Sequence, residues 1–166
     1  MMKPIRIFTT GGTIDKVYFD ANSKYEVGQS EIESSLRASG LSVAFAVTPL
    51  MRKDSLELTD ADRATIRTAV LEAEESLIII THGTDTMVKT AESLGEIPNK
   101  TILFTGALQP ALFKTSDALF NIGCAFGAVQ CAKAGIYIGM NGRVFPANNV
   151  VKNYELRRFV TKGEEA

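Results

Sequence analysis

Short apolar runs rich in β-branched residues recur along the chain, and each is bounded by glycine, proline or polar residues. Runs of this length and composition are typical of buried β-strands. The pattern predicts strands at Ile5–Thr9, Val43–Val47, Leu77–Thr81, Thr101–Phe104 and Ile136–Met140.

Helical patterns separate these strands. The clearest extends from Thr59 to Ser76, where Thr59 and Asp62 have the spacing of a capping box. Another begins at Ser30, with Glu33 three residues further on, and ends at Gly40. Two more are predicted over residues 84–94 and 116–132, and the second of these is apolar nearly all round, so we expect it to be largely buried.

The alternation of strands and helices predicts the fold class. It favours an α/β fold, a three-layer, Rossmann-like and mostly parallel sheet with helices on both faces. In such sheets the binding crevice lies beyond the carboxyl ends of the strands. Three of the predicted strands are followed by segments rich in hydroxyls and glycine, at residues 9–13 (TTGGT), 81–86 (THGTDT) and 105–110 (TGALQP).

Each of these segments also has a purely structural interpretation. Residues 10–13 can form a simple tight turn, and they lack the spacing of a dinucleotide fingerprint or a P-loop. Thr84 can cap the helix that follows, with Asp85 in its first turn. Lys152 lies in an otherwise uncharged stretch after the last predicted strand, where it is either an exposed loop lysine or a base for a hydroxyl nucleophile.

Composition and charge narrow the function classes. The chain has 166 residues, of which 45% are hydrophobic and 22% charged, with a net charge of −1. This length predicts one domain, residues 1–161, followed by a loose tail at 162–166. The near-neutral charge disfavours nucleic acid and membrane surfaces as partners. His82 is the sole histidine, which disfavours a histidine-based metal site or a Ser-His-Asp triad.

The cysteine spacing and the N-terminal sequence indicate where in the cell the protein is expected. Cys124 and Cys131 lie seven residues apart in one predicted helix. They are therefore too distant to form a disulfide, and we expect reduced core residues. The N-terminus enters a strand pattern without an apolar signal-peptide region, and no apolar stretch is long enough to span a bilayer. We therefore expect a cytoplasmic protein.

Taken together, the motifs resemble those of the bacterial-type L-asparaginases in type, order and spacing. The matching segments are 10–14 (TGGTI), 25–28 (YEVG), 54–55 (DS), 80–87 (ITHGTDTM), 105–107 (TGA) with Pro110, 116–117 (SD) and 120–121 (FN). Met140-Asn141 resembles the family's Met-Asn pair, and counting on from it places Lys152 at the family's catalytic lysine. The chain ends soon after Lys152, as in the short-chain members that keep only the N-terminal catalytic domain.

The resemblance implies hydrolysis of L-asparagine to L-aspartate and ammonia through an acyl-enzyme, without metal or cofactor. Thr13 would be the nucleophile on a mobile loop, and Tyr25 on the same loop would help to position it. Thr84, Lys152 and Asp85 would form a Thr-Lys-Asp relay.

The resemblance also implies how the substrate binds. Ser55 and Asp85 would hold its α-carboxylate and α-amino groups, and backbone groups near Gly83 and Ala107 would contribute.

Departures from the family pattern leave alternatives open. Leu56 occupies a position that is usually Gln or Ser, and Glu57 can compensate or the substrate preference can shift. In the family a second domain supplies an acid to the substrate's amino group, and without that acid one alternative is an asparaginase-like amino-acid-binding or sensory module with little turnover. Leu56 suggests the other alternative, an amidase for another small amide such as glutamine. Because family members complete the pocket with a neighbouring subunit, we expect a homodimer or higher homo-oligomer.

Overall fold

The computed structural model describes residues 2–19 and 24–164. In chain order its strands are β1 (Ile5–Gly11), β2 (Lys16–Phe19), β3 (Lys24–Val27), β4 (Phe45–Lys53), β5 (Leu77–Thr81), β6 (Thr101–Thr105), β7 (Gly135–Met140), β8 (Arg143–Pro146), β9 (Val150–Asn153) and β10 (Arg158–Thr161). Its α-helices are α1 (Ile32–Ala38), α2 (Asp60–Glu72), α3 (Met87–Ser93) and α4 (Ala118–Cys131).

The central sheet has six strands in the order β4-β1-β5-β6-β7-β8. Neighbouring strands pair in parallel, apart from the antiparallel pair of β7 and β8. β1 lies beside β5, so the segments that follow these two strands leave the same edge of the sheet close together. The predicted α/β fold with a mostly parallel sheet is confirmed.

Helices cover both faces of this sheet, because successive strand residues point to opposite sides. Ile78 and Ile80 of β5 pack in one core with α2 and α3. Ile79, between them, packs in a second core with α1 and α4. The sheet thus lies between two layers of helices, with one core on each of its faces, as the predicted three-layer fold requires.

Strand β4 differs most from its prediction. The apolar run predicted Val43–Val47, whereas the strand covers Phe45–Lys53 and continues through Pro49. β4 is an edge strand that pairs only with β1 in this sheet, so one side of Pro49 needs no amide donor. The extension brings Lys53 opposite Gly11 and ends directly before Asp54 and Ser55.

Two antiparallel ribbons, β2 with β3 and β9 with β10, were not predicted. Each of their strands has four residues, and most of their side chains are exposed or only partly buried. Strands this short and exposed give little hydrophobic pattern. The second ribbon carries Lys152.

The structure confirms one of the predicted helix starts and differs from two others. Thr59 and Asp62 form the capping box expected of them before α2. The box expected from Ser30 and Glu33 is absent, since Glu31 occupies the N-cap position of α1 without a side-chain capping bond. Helix α3 begins at Met87 and not at residue 84.

Two predictions about α4 are wrong. The helix buries one face, including Ile122 and Phe126, but Leu119 and Phe120 are exposed. Cys124 is half-buried and Cys131 is exposed, and both are free thiols, so they are not core residues. Because the sequence of α4 is apolar on nearly every face, its hydrophobic pattern does not indicate which face packs against the sheet.

Candidate active site

Two glycines at the end of β1 bring Thr13 to the carboxyl edge of the sheet. Gly11 and Gly12 have φ angles of 100° and 89°, in a region that side chains disfavour. A Cβ on Gly12 would lie 2.4 Å from the backbone of Gly83, so this approach requires glycine. Thr13 then begins a short 3₁₀ helix that ends at Asp15.

Thr84, Asp85 and Lys152 form a hydrogen-bonded cluster at the same edge. The Nζ atom of Lys152 donates to Oγ1 of Thr84 at 2.8 Å and to Oδ1 of Asp85 at 2.6 Å. The side chain of Lys152 is 13% exposed and that of Asp85 is 32% exposed. Since α3 begins only at Met87, Thr84 does not cap it, and the capping interpretation of Thr84 is wrong.

The cluster opens into a cleft of about 610 Å³, a volume within the range of small-molecule sites. Thr13, Thr84, Asp85 and Lys152 all line this cleft. The structure thus brings together four of the residues selected from the sequence. Their side chains supply two hydroxyls, a carboxylate and an amine, which is a set suited to nucleophilic chemistry with proton transfer.

Ser55 and Gly83 lie next to the cleft without lining it. Ser55 is buried at the start of a 3₁₀ helix over Ser55–Glu57, and its Oγ has no hydrogen-bond partner among the described residues. A Cβ on Gly83 would lie 2.7 Å from that Oγ, so the two residues are in close contact. The carbonyl of Ser55 accepts a hydrogen bond from Oγ1 of Thr86 at 2.7 Å, which ties this turn to the start of α3.

The other three selected residues lie away from the cleft lining. The ring of Tyr25, on β3, packs against the rings of Tyr18 and Phe113, with centroid distances of 5.4 and 5.8 Å. Glu57 is exposed. Ala107 is buried in the core beneath α4.

Sequence reasoning missed several side chains that line the cleft. Asp117 fixes one wall, since its carboxylate accepts hydrogen bonds from the amides of Leu108 and Gln109 at 3.0 to 3.1 Å and from Nδ2 of Asn121 at 2.9 Å. The motif at 116–117 could have indicated Asp117. Tyr154 and Arg157 form another part of the lining, and no pattern in the sequence indicates them.

Tyr154 packs over the lysine of the cluster. The Nζ atom of Lys152 lies 4.8 Å from the centroid of the Tyr154 ring, within reach of a cation–π contact. Burial raises the pKa of Tyr154, and so does the negative charge of the neighbouring Asp85 carboxylate. The phenol of Tyr154 therefore stays neutral.

Two buried titratable groups flank the site. Burial raises the pKa of Asp15 from 3.8 to about 6, although the hydrogen bond from Ser30 and the charge of Arg52 oppose the change. Burial also lowers the pKa of His82 from 6.5 to about 4. Nδ1 of His82 lies 2.7 Å from the carbonyl of Gly83, so the neutral ring carries its proton there.

Within residues 2–19 and 24–164, no three His, Cys, Asp or Glu side chains form a group that could hold a metal ion. In the same ranges, no helix is long and apolar enough to cross a membrane.

The chain belongs to the family described as Asparaginase, N-terminal, whose pattern matches residues 4–159. This agrees with the resemblance of the sequence motifs. The matched region includes every residue of the Thr84, Asp85 and Lys152 cluster.

Individual relatives carry asparaginase names. The chain is 29% identical to an L-asparaginase from Thermococcus kodakarensis over 90% of its own length and 48% of that protein. It is 30% identical to a probable periplasmic L-asparaginase from Haemophilus influenzae, over 89% of its length and 46% of that protein. The chain thus spans about half the length of the curated relatives it matches.

A solved structure shows the same fold. The thermostable L-asparaginase from Thermococcus kodakarensis superposes with a TM-score of 0.82 and 26% identity. The match covers 95% of this chain and 51% of that one.

Proposed function

We propose that the protein is an amidohydrolase that converts L-asparagine and water to L-aspartate and ammonia, with Thr13 as nucleophile. The observation that carries the proposal is the contact of Lys152 with both Thr84 and Asp85, in a cleft that Thr13 also lines. Membership of the asparaginase family supports the choice of an amide substrate.

The first half of the reaction forms an ester. Oγ1 of Thr13 attacks the carbon of the side-chain amide, and the hydroxyl proton passes through the Thr84 hydroxyl to Nζ of Lys152, which reacts as the free amine. That proton then moves to the amide nitrogen as the C–N bond breaks, and ammonia leaves. A threonine hydroxyl is a weak nucleophile, so it needs such an acceptor.

The second half consumes water. The same Thr84–Lys152 pair takes a proton from a water molecule that attacks the ester carbon. The proton returns to Oγ1 of Thr13 as the ester bond breaks, and L-aspartate is released. Asp85 orients Lys152 in both steps through its 2.6 Å contact with Nζ.

Backbone N–H groups are the donors for the negative charge that develops on the amide oxygen. The N–H of Gly12 already donates to the carbonyl of Lys53 at 2.9 Å. The donors in this scheme are therefore the N–H groups of Thr13 and of the Gly83-Thr84 turn. Glycine at position 83 lets Ser55 and Gly12 pack closely against that turn.

The substrate's α-groups would bind at the base of the cleft. The buried Oγ of Ser55 lacks a partner among the described residues, and a polar group of the substrate would satisfy it. Asp85 would accept from the α-ammonium. Backbone groups of Gly83 and Ala107 would add contacts to the substrate. Glu57 is exposed and would contact the substrate only at the rim of the cleft. Tyr25 would reach Thr13 if the β2–β3 ribbon moved toward the cleft.

The test is ammonia release from L-asparagine. We expect activity in the wild type and its loss in Thr13→Ala, Thr84→Ala and Lys152→Ala, with unchanged circular dichroism. Thr65→Ala on the exposed surface of α2 is the matched control and should keep its activity. Inactivity of the wild type on asparagine, glutamine and related amides over a broad pH range would contradict the proposal.

A homo-oligomer is part of this proposal. Leu119 and Phe120 expose apolar side chains next to Asp117 of the cleft wall, which is consistent with a covered surface. Sedimentation of the active protein should show a dimer or larger species. A monomer that retains full activity would contradict it.

A further inference from the structure

The turn between β9 and β10 carries a cation into the cleft. Asn153 of β9 pairs with Arg158 of β10, so residues 154–157 form the connection. Oδ1 of Asn153 accepts a hydrogen bond from the amide of Leu156 at 2.8 Å and fixes the turn. Tyr154 and Arg157, the first and last residues of the connection, both line the cleft.

Arg157 occupies a backbone conformation that does not suit it. Its φ angle is 50°, in the left-handed region that Gly and Asn adopt more readily than a long side chain does. Strained positions of this kind concentrate at functional sites, because a merely structural turn would use a residue that avoids the cost. The turn thus presents an arginine where its geometry favours glycine or asparagine.

Among the described residues no side chain pairs with the charge of Arg157, unlike the other charges of the cleft. Lys152 is paired with Asp85 at 2.6 Å, and Asp117 is held by backbone amides and Asn121. Within residues 2–19 and 24–164, Arg157 forms no hydrogen bond or ion pair. A guanidinium that faces a cleft without a protein partner is suited to a carboxylate ligand, which it can bind through two parallel hydrogen bonds.

We infer that Arg157 is a specificity-determining residue that binds the α-carboxylate of the substrate and selects amides with a free carboxylate. The inference rests on the proposed function. Ser55 is neutral and offers one hydroxyl, so Arg157 supplies the positive charge that the hydroxyl cannot. The Tyr154 ring, whose centroid lies 4.8 Å from Nζ of Lys152, packs the turn beside the reacting groups.

The test compares Arg157→Asn with Arg158→Gln. Asparagine at position 157 accepts the left-handed backbone and removes the charge, while Arg158 is exposed, adjacent and not part of the cleft lining. Kinetics are measured with L-asparagine and with L-asparagine methyl ester, whose α-carboxylate is masked. Thermal unfolding checks that both variants fold.

We expect Arg157→Asn to raise KM for L-asparagine about tenfold while kcat stays within about twofold, the signature of lost binding energy that is equal in ground and transition states. KM for the methyl ester should not change. Added salt should raise the wild-type KM for L-asparagine more than that of the variant, because it screens the charge. Arg158→Gln should behave as the wild type.

If Arg157→Asn changed KM equally for L-asparagine and its methyl ester, or for neither, the inference about Arg157 would be overturned. The proposed amide hydrolysis would still stand. If the wild type hydrolyses no amide, calorimetry with L-aspartate tests whether Arg157 binds the α-carboxylate. It is carried out on the wild type, Arg157→Asn and Arg158→Gln. Binding about tenfold weaker in Arg157→Asn alone would support the inference. Equal binding by all three, or no binding to the wild type at millimolar concentration, would overturn it.

Discussion

Oγ1 of Thr84 lies 2.8 Å from Nζ of Lys152, although 68 residues separate them in the chain. Thr84 follows β5 in the central sheet, whereas Lys152 lies on β9 of a separate two-stranded ribbon. The contact therefore depends on how the ribbon packs against the sheet. It also gives the Thr84 hydroxyl a role other than helix capping.

Replacing Lys152 with Met should abolish most of the activity. The change removes the amine that contacts Thr84 and Asp85 but keeps an unbranched side chain, so we expect the fold to persist and kcat to fall by about 10²- to 10⁴-fold, the usual contribution of a general base. Lys162→Met removes an exposed pair with Glu92 and should leave kcat unchanged. A Lys152→Met protein that keeps a tenth of the wild-type kcat would contradict the relay.

Replacing Gly12 with Ala should disrupt the site. Its φ of 89° and the 2.4 Å approach of a Cβ to the backbone of Gly83 force either β1 or the Gly83 turn to move. We expect a loss of stability of at least about 1 kcal/mol, together with loss of activity. Denaturant unfolding and ammonia release measure the two effects.

Gly123→Ala is the control for this change. Gly123 lies within α4 and a Cβ there meets no atom within 4 Å, so alanine should stabilise the helix by about 0.5 to 1 kcal/mol and preserve activity. Similar behaviour of the two variants would show that the close approach of Gly12 to Gly83 is unimportant.

Replacing Asp15 with Asn should stabilise the protein at neutral pH. Because burial raises the pKa of the carboxyl from 3.8 to about 6, the folded state keeps a proton that the unfolded state loses between these values. Stability from this group is thus complete below pH 3.8 and falls as pH rises to about 6. Asparagine cannot ionise, so the variant should gain up to about 3 kcal/mol above that window.

Urea unfolding at a series of pH values measures this difference. Asp62→Asn should change stability with pH in the opposite direction, because the hydrogen bonds from Lys53 and Thr59 lower the pKa of Asp62 from 3.8 to about 2. Its removal should cost stability above pH 3.8 and nothing below pH 2. A wild-type minus Asp15→Asn difference that does not vary between pH 4 and 7 would refute the prediction for Asp15.

His82 should remain neutral in the folded protein at pH 6. Burial lowers its pKa from 6.5 to about 4, so the unfolded state binds a proton that the folded state lacks between those values. The contribution of His82 to stability is present above pH 6.5 and is lost as pH falls to about 4. As the sole histidine, its ring gives a single set of ¹⁵N resonances, which should show a protonated Nδ1 and an unprotonated Nε2.

The same signals in urea provide the reference, where the ring should titrate near its ordinary value. A folded-state titration near pH 6.5 would mean that the ring is accessible to water and that the buried position of His82 is wrong.

Much of the fold was predictable from the sequence where local patterns were strong. β5 has its predicted boundaries, because a buried apolar run bounded by polar residues has few alternatives. The capping box of Thr59 and Asp62 was predictable since it depends on residues three positions apart. The exposed face of α4 and the short ribbons were not, because they depend on what packs against them.

For the site, the sequence by itself determined the residue types and the edge of the sheet at which they meet. Thr13 and Thr84 follow β1 and β5, and the chain direction of parallel strands places both at one end. The family resemblance implied that Lys152 joins Thr84 and Asp85, and the tertiary structure supplies the contacts between them. Tertiary structure alone decided that Tyr154 and Arg157 line the same cleft. These contacts join segments far apart in the chain, and their geometry comes from the packing of a ribbon against a sheet, which no local pattern specifies.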